Sequence, residues 1–368
     1  RAAGGASHAA AGHGGSTGAG TANGGAAGGG AGRGGGTVGG GAGRAAAGGT
    51  SGKGDESSAG EAGTGAAGAG DGCACAAGQY CRAGQCFECA DLSQLAFDTP
   101  EVILDHPTAG LRYPRPGDAL GSLFFTLESA TTSELWYEAS VDEPPGASLD
   151  PATAPARAAL LYVDGQSGFG FQALFTEKAT LGPRTLRTAS FDGHRLTAVA
   201  DAPVPLGPSG FDDYSSALAP STGRAYWMTT RDGAPALYTG VVGSAAVARV
   251  ELDVTAANAP GKGCAWQGDD AAPWVRADGS LLLVSALPLS STCEPLDGDA
   301  TDLFAVPLNP ATGAPLSPAV ALGDINVTRG ASSETDAALS NDLCTLYFAS
   351  DGGSARSFDF RLFRASRR

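Results

Sequence analysis

The last stretch of the chain, Glu334 to Arg367, most limits what the rest can fold into. It reads ETDAALSNDLCTLYFASDGGSARSFDFRLFRASR. Asp336-Ala-Ala-Leu-Ser340 reads as a first strand, Asn341-Asp342 as a turn and Thr345-Leu-Tyr-Phe-Ala-Ser350 as an alternating apolar strand. Asp351-Gly352-Gly353 is a second turn, and Phe360-Arg-Leu-Phe-Arg-Ala365 a third strand. Short aromatic and β-branched runs cut by Asn/Asp/Gly clusters signal strands joined by hairpins.

The same pattern recurs upstream. A Leu-aromatic pair marks the third strand at Leu135-Trp136, Leu174-Phe175, Leu237-Tyr238, Leu303-Phe304 and Leu362-Phe363. An apolar second strand precedes each: Leu123–Thr126, Leu160–Val163, Ala225–Met228, Leu281–Val284 and Leu346–Phe348. The period is about 60 residues, shortened to about 40 between the first two copies. A single three-strand unit cannot bury both of its faces, but stacked units can, and a closed circle protects most edges. The expected fold is therefore all-β: a β-propeller of five four-stranded blades over residues 91–368. A sixth blade is left open at Arg187–Ala200, which has a turn and a second strand but no Leu-aromatic strand; the other reading there is a hairpin with an Asp-Gly turn. The chain ends on a third strand, so the last blade needs an outer strand from elsewhere. Thr99-Pro-Glu-Val-Ile-Leu-Asp105 is the candidate, pairing the two ends of the ring.

ALSNDLCTLYFASD, with Phe360–Arg367 behind it, resembles the bacterial TolB-like, WD-like propeller repeat, roughly D-P-x-x-S-P-D-G-x-x-[IL]-[YA]-F-x-S. Ala217-Leu-Ala-Pro-Ser-Thr-Gly223 and Val275-Arg-Ala-Asp-Gly279 match its middle, whereas Asn341 stands for the Pro and Leu343 for the Gly. The resemblance implies the propeller and, as in members that bind proteins or ligands, a contact role; it supplies no activity.

Many of the 57 glycines fall within residues 1–72, where Val38 is the one branched aliphatic residue. That segment lacks the apolar surface to offset backbone ordering and is read as a disordered spacer. GTSGKGD at Gly49–Asp55 fails as a phosphate loop, because Ala47 replaces the first glycine and Gly54 follows Lys53. Residues 73–90 hold Cys73, Cys75, Cys81, Cys86 and Cys89, read as a small disulfide knot. The competing zinc reading rests on Cys86-x-x-Cys89 and lacks a second pair or a histidine. Cys264 is paired with Cys293, and Cys344 either bridges to the odd cysteine of the knot or stays a buried thiol.

A net charge of −15 and a pI near 4.6 argue against nucleic acid and anionic membrane surfaces as partners. No run of about 18 apolar residues offers a transmembrane helix. The start at Arg1, without Met or an apolar leader, is read as an export signal that was removed or is not shown. The expected location is periplasmic, outer-membrane-tethered as a lipoprotein, or extracellular, and the expected state a monomer.

Catalytic signatures do not emerge. His8, His13, His106 and His194 have no ligand or nucleophile pattern around them, and Phe169 breaks the elbow that Ser167 would need. No catalytic residue, metal ligand or cofactor is assigned. The polar feature left is a set of carboxylates at the starts of first strands: Asp212, Asp213, Asp269, Asp270, Glu334 and Asp336. Near a propeller mouth these serve a cation, a basic loop or a sugar; the plainer reading is that each caps a turn. Trp266 and Trp274 flank the acidic pair and line the mouth or pack blades. Two functions follow: an exported binding module for a protein or glycan partner of the cell envelope, or a glycoside hydrolase with axial carboxylates.

Overall fold

Residues along a strand face opposite sides in turn, so an apolar run with no polar alternation has to be covered on both faces. β12 (Arg224–Thr229), β16 (Leu281–Ala286) and β20 (Thr345–Ser350) are such runs, each buried over nearly its whole length. The computed structural model covers them by stacking five sheets in a ring. It describes residues 74–76, 78–82, 85–89, 91, 95–117, 122–129, 133–141, 160–162, 173–178, 182–191, 196–204, 210–254, 271–288, 300–326, 332–352 and 360–368. The segment 1–72, Cys73, Cys264, Cys293, Trp266, Asp269, Asp270 and the side chain of Cys81 lie outside these residues.

A hairpin of β1 (Gln79–Arg82) and β2 (Gln85–Glu88) comes first, then the single strand β3 (Glu101–Leu104). The first blade is β4 (Gly110–Pro116), β5 (Leu123–Glu128) and β6 (Ser133–Glu138). The second is β7 (Leu160–Tyr162), β8 (Ala173–Lys178), β9 (Arg184–Phe191) and β10 (Leu196–Asp201). The third joins β11 (Asp213–Ala219) and β12 to β13 (Ala236–Val241) and β14 (Val247–Arg249). The fourth is β15 (Trp274–Val275), β16, β17 (Asp302–Pro307) and β18 (Val320–Ala321). The fifth is β19 (Glu334–Leu339), β20 and β21 (Arg361–Ser366), with β3 as its fourth strand. Every pairing is antiparallel, and the result is a five-bladed β-propeller. Four blades have four strands, and the first has three among the described residues.

Each hydrophobic cluster is a seam between neighbouring blades. Tyr226 and Met228 of β12 face Leu282, Val284 and Phe304 of the fourth blade, while Ala225 and Trp227 face Leu174 and Leu186 of the second. Leu281 and Leu283 turn the other way, to Leu346 and Phe348. Tyr347 and Ala349 then meet Leu123, Phe125 and Leu127 of the first blade. The remaining seam sets Leu135 against Phe175, Ala189 and Leu196. One strand thus supplies two seams by its period of two.

The ring closes where the chain ends meet. β3 pairs with β21 at Leu362↔Leu104, Phe363↔Val102 and Arg364↔Glu101, as the sequence led us to expect of Thr99–Asp105. Cys344, for which a bridge and a thiol were both open, is joined to Cys89, and Cys75 is joined to Cys86. The Cys89–Cys344 link spans 255 residues, for which chain entropy alone gives an upper figure of about 5 kcal/mol against the unfolded chain.

The second blade corrects the reading of the repeat. Leu160–Tyr162 is a first strand rather than a second, and Leu174-Phe175 lies on the second strand rather than the third. Leu-Phe-Thr at 174–176 corresponds to Phe124-Phe-Thr126 of β5, so a second-strand signature was taken for a third-strand one. That substitution produced the shortened period. Arg187–Ala200 falls on the paired strands β9 and β10, which complete the second blade and leave no sixth among the described residues.

Leu282 has no exposed surface and sits in the seam of the third and fourth blades. Leu282→Ala is expected to lower unfolding stability by about 2–5 kcal/mol. Leu316, 65% exposed, is the matched control, and Leu316→Ala should change urea denaturation by under ~0.5 kcal/mol.

Candidate functional site

The first strands β4 and β19, β15 and β19, and β11 and β15 touch one another and so line the axis. They carry an unusual backbone feature. Tyr113, Ser215 and Asp336 on these strands, and Ala272 just before β15, have positive φ (52°, 46°, 60° and 39°) without being glycine. Register shifts accompany three of them, between Arg112 and Arg115, Tyr214 and Ser216, and Thr335 and Ala338. Such bulges cost of order 1–3 kcal/mol each and persist when neighbours hold them. The neighbours here are the adjoining blades. The amide of Asp336 donates to Ser285 Oγ of the fourth blade (3.1 Å), and that of Ser215 donates to Thr176 Oγ1 of the second (3.1 Å). Tyr113 N donates to Asp336 Oδ2 (3.3 Å). The bulges re-aim backbone donors across the seams.

Asp336 is fully buried and forms an ion pair with Arg112, which donates through both Nε and Nη2. Burial works against the Arg112 charge, but Asp336, then Tyr113 and Glu128, more than offset it and hold the guanidinium charged. Arg112 also lies over the rings of Phe360 (4.5 Å) and Tyr113 (5.2 Å). Arg115, 1% exposed, reaches further inward. Its guanidinium donates to the carbonyls of Pro114 (3.0 Å), Asp336 (3.2 Å) and Pro273 (3.1 Å), which belong to three different blades. An arginine therefore occupies the place where the first, fourth and fifth blades converge.

The remaining described carboxylates sit closer to the face where first strands begin. Asp213 is buried, accepts from Trp227 Nε1 (3.2 Å) and pairs with Arg231 (3.7 Å). Asp212, nearer the surface, accepts from Arg184 N (2.7 Å) and its guanidinium. Glu334 accepts from Ser350 Oγ (3.1 Å), while its backbone exchanges bonds with Thr301 of the neighbouring blade. Burial pushes its carboxyl from the ordinary 4.5 up to about 7; Ser332 and Ser350 oppose the shift, and Asp302 and Asp351 add to it. Trp274 is buried between the fourth and fifth blades. Asp213, Asp336 and Glu334 are thus placed at first-strand starts, each with an internal partner of its own. Arg112, Tyr113 and Arg115 were missed by sequence reasoning. GLRYPRP contains two prolines, which demote a strand reading, and the two arginines give no hint of facing inward. No group of three or more His, Cys, Asp or Glu able to hold a metal ion occurs among the described residues.

The fold and this interior define a five-bladed propeller with an ion-paired, arginine-filled centre. No protein-family model matches the chain, and no curated protein matches it. Solved structures that it is similar to include TolB from Acinetobacter baumannii, at 12% identity and a TM-score of 0.37, covering 70% of this chain and 55% of that one. Another is the endo-arabinase of Bacteroides thetaiotaomicron, at 10% identity and a TM-score of 0.45, covering 73% and 97%. A third is the catalytic domain of the Coprinopsis cinerea GH62 alpha-L-arabinofuranosidase, at 11% identity and a TM-score of 0.39, covering 74% and 97%. The chain spans about half the length of the Acinetobacter TolB.

Glu334 yields a pH prediction. Its folded pKa lies above the unfolded value, so its contribution to stability is complete below about pH 4.5 and is lost as pH rises through about 7. Glu334→Gln should remove this slope, leaving the variant more stable than the parent at about pH 8 by up to ~3 kcal/mol and nearly equal to it at about pH 4. Urea midpoints measured across that range check it. Asp336→Asn should cost about 3 kcal/mol at every neutral pH, because Arg112 then loses its buried partner.

Proposed function

We propose that the chain is an exported, non-catalytic binding module that meets a protein or glycan partner of the cell envelope on the face where first strands begin. One observation carries this reading: Asp213, Glu334 and Asp336 of the carboxylate set are buried and joined to internal partners, and the half-exposed Asp212 is held by Arg184. Such groups fix the ring's shape and are poorly placed to exchange protons with a substrate. Contact then falls to the loops above them, including Arg231–Pro235, where Asp232 is exposed. The net charge of −15 favours a partner with a basic surface. The disulfides Cys75–Cys86 and Cys89–Cys344 suit an oxidising compartment outside the cytoplasm.

A second reading, hydrolysis of glycosidic bonds, is favoured by one feature. A carboxyl with a pKa of about 7, as at Glu334, is the kind that serves as a general acid near neutrality.

Charge reversal separates faces and readings. Asp232→Lys should weaken capture of envelope partners by roughly tenfold or more. Asp278→Lys, in the turn between β15 and β16 at the opposite end of the blades, should leave it unchanged. Loss on the Asp278 side instead would place the contact on the wrong face. Release of reducing sugar from polysaccharides, abolished by Glu334→Gln, would replace binding with hydrolysis.

A further inference from the structure

Cys89, Asp91 and residues 95–104 lie along one edge of the ring, and the bonds found there run mainly to the other end of the chain. Arg367 donates to the carbonyls of Cys89 (3.3 Å) and Asp91 (2.9 Å). Arg368 N donates to Ala96 O (3.1 Å), and Asp98 N to Ser366 O (2.8 Å). β3 lies on β21 over three paired positions, with Val102 45% exposed, and Glu101 forms an ion pair with Arg364. Phe97 and Leu104 are its two buried apolar anchors. At one end this segment runs on into β4, and at the other it is fastened by Cys89–Cys344.

We propose that Cys89, Asp91 and residues 95–104 belong to a redox-latched strap. With the disulfide intact, the strap is tethered at both ends, and a closed loop of about 20 residues gains little freedom by leaving its bed. With the disulfide reduced, one end is free, and peeling from that end becomes a local event that leaves the seams of the other blades in place. Cys344 is half-buried whereas Cys89 has no exposed surface, so attack is expected on the Cys344 side of the bond. A thiolate of an external dithiol bonds to Cys344 sulfur and Cys89 departs as a thiolate. The second thiolate of the dithiol then displaces Cys344. Two electrons pass from the dithiol, which leaves as its own disulfide, to the protein, which is left with two thiols. Reducing surroundings thus loosen the fourth strand of the last blade, and oxidising ones hold it down.

Native-state hydrogen exchange on the full chain tests this by comparing Glu101–Leu104 and Leu362–Arg364 with the core amides of β12 and β16. In the oxidised protein the edge and core should exchange together. In the double variant Cys89→Ala/Cys344→Ala, the edge should exchange at least ~100-fold faster than the core, with little dependence on denaturant. The variant Cys75→Ala/Cys86→Ala should leave the ratio as in the parent. If the first variant does not fold, dithiol treatment of the native protein supplies the same ratio. An unchanged ratio without Cys89–Cys344, or an equal change without Cys75–Cys86, would overturn the strap.

Discussion

The structure depends on two-faced burial of the second strands. Residues 225–228 of β12 send Ala225 and Trp227 into one seam and Tyr226 and Met228 into the next, and β16 and β20 do the same. No blade therefore owns a core. Removing one would expose apolar side chains on both of its neighbours, and the open arc that remained would end in two bare faces. Closure is a requirement of the burial pattern, and the alternation along three short strands already demands it.

A ring made from one chain concentrates its difficulty at the seam where the ends meet. Between the fifth and first blades the chain passes directly from β3 into β4, but the other three strands of the fifth blade come from the far end of the sequence. This seam is also where the structure places Arg112–Asp336, Arg115, the β3–β21 pairing and Cys89–Cys344. Buried ion pairs add little net stability over well-packed apolar groups, but they tolerate one geometry only. Arg112 has its carboxylate in a single arrangement of the two blades. Apolar packing supplies most of the seam's adhesion, while the charged pair and the bulged backbone fix its register.

What was legible in the sequence follows the same division. Period-two apolar runs bounded by Asn/Asp/Gly turns report strands directly, so the blades and the need for β3 could be read from them. The second blade was misread because Leu-Phe at 174–175 satisfies both strand signatures, and only pairing tells the second strand from the third. The axial interior was hidden for a different reason. Positive φ at Tyr113, Ser215 and Asp336 has no glycine to announce it, and an arginine bonded to three carbonyls looks, in a string of letters, like any surface arginine. The carboxylates were found by their position before strands, yet their burial depends on neighbouring blades that sequence does not place.

These interior contacts bear on where a partner can act. A buried Arg115 bonded to carbonyls of Pro114, Pro273 and Asp336 fills the place where the first, fourth and fifth blades meet. Bulge amides that answer to hydroxyls across seams are satisfied without a ligand. A partner that displaced them would have to replace charged hydrogen bonds in a low-dielectric site, where the cost of leaving one unmade is high. Loops at the face carry no such penalty: Asp232 and Asp212 keep exposed surface while their bonds to Tyr238 and Arg184 hold them in place. Rigid, partly hydrated charges on a fixed ring can meet a basic surface with little ordering cost, which is why the proposed binding role places contact at the rim.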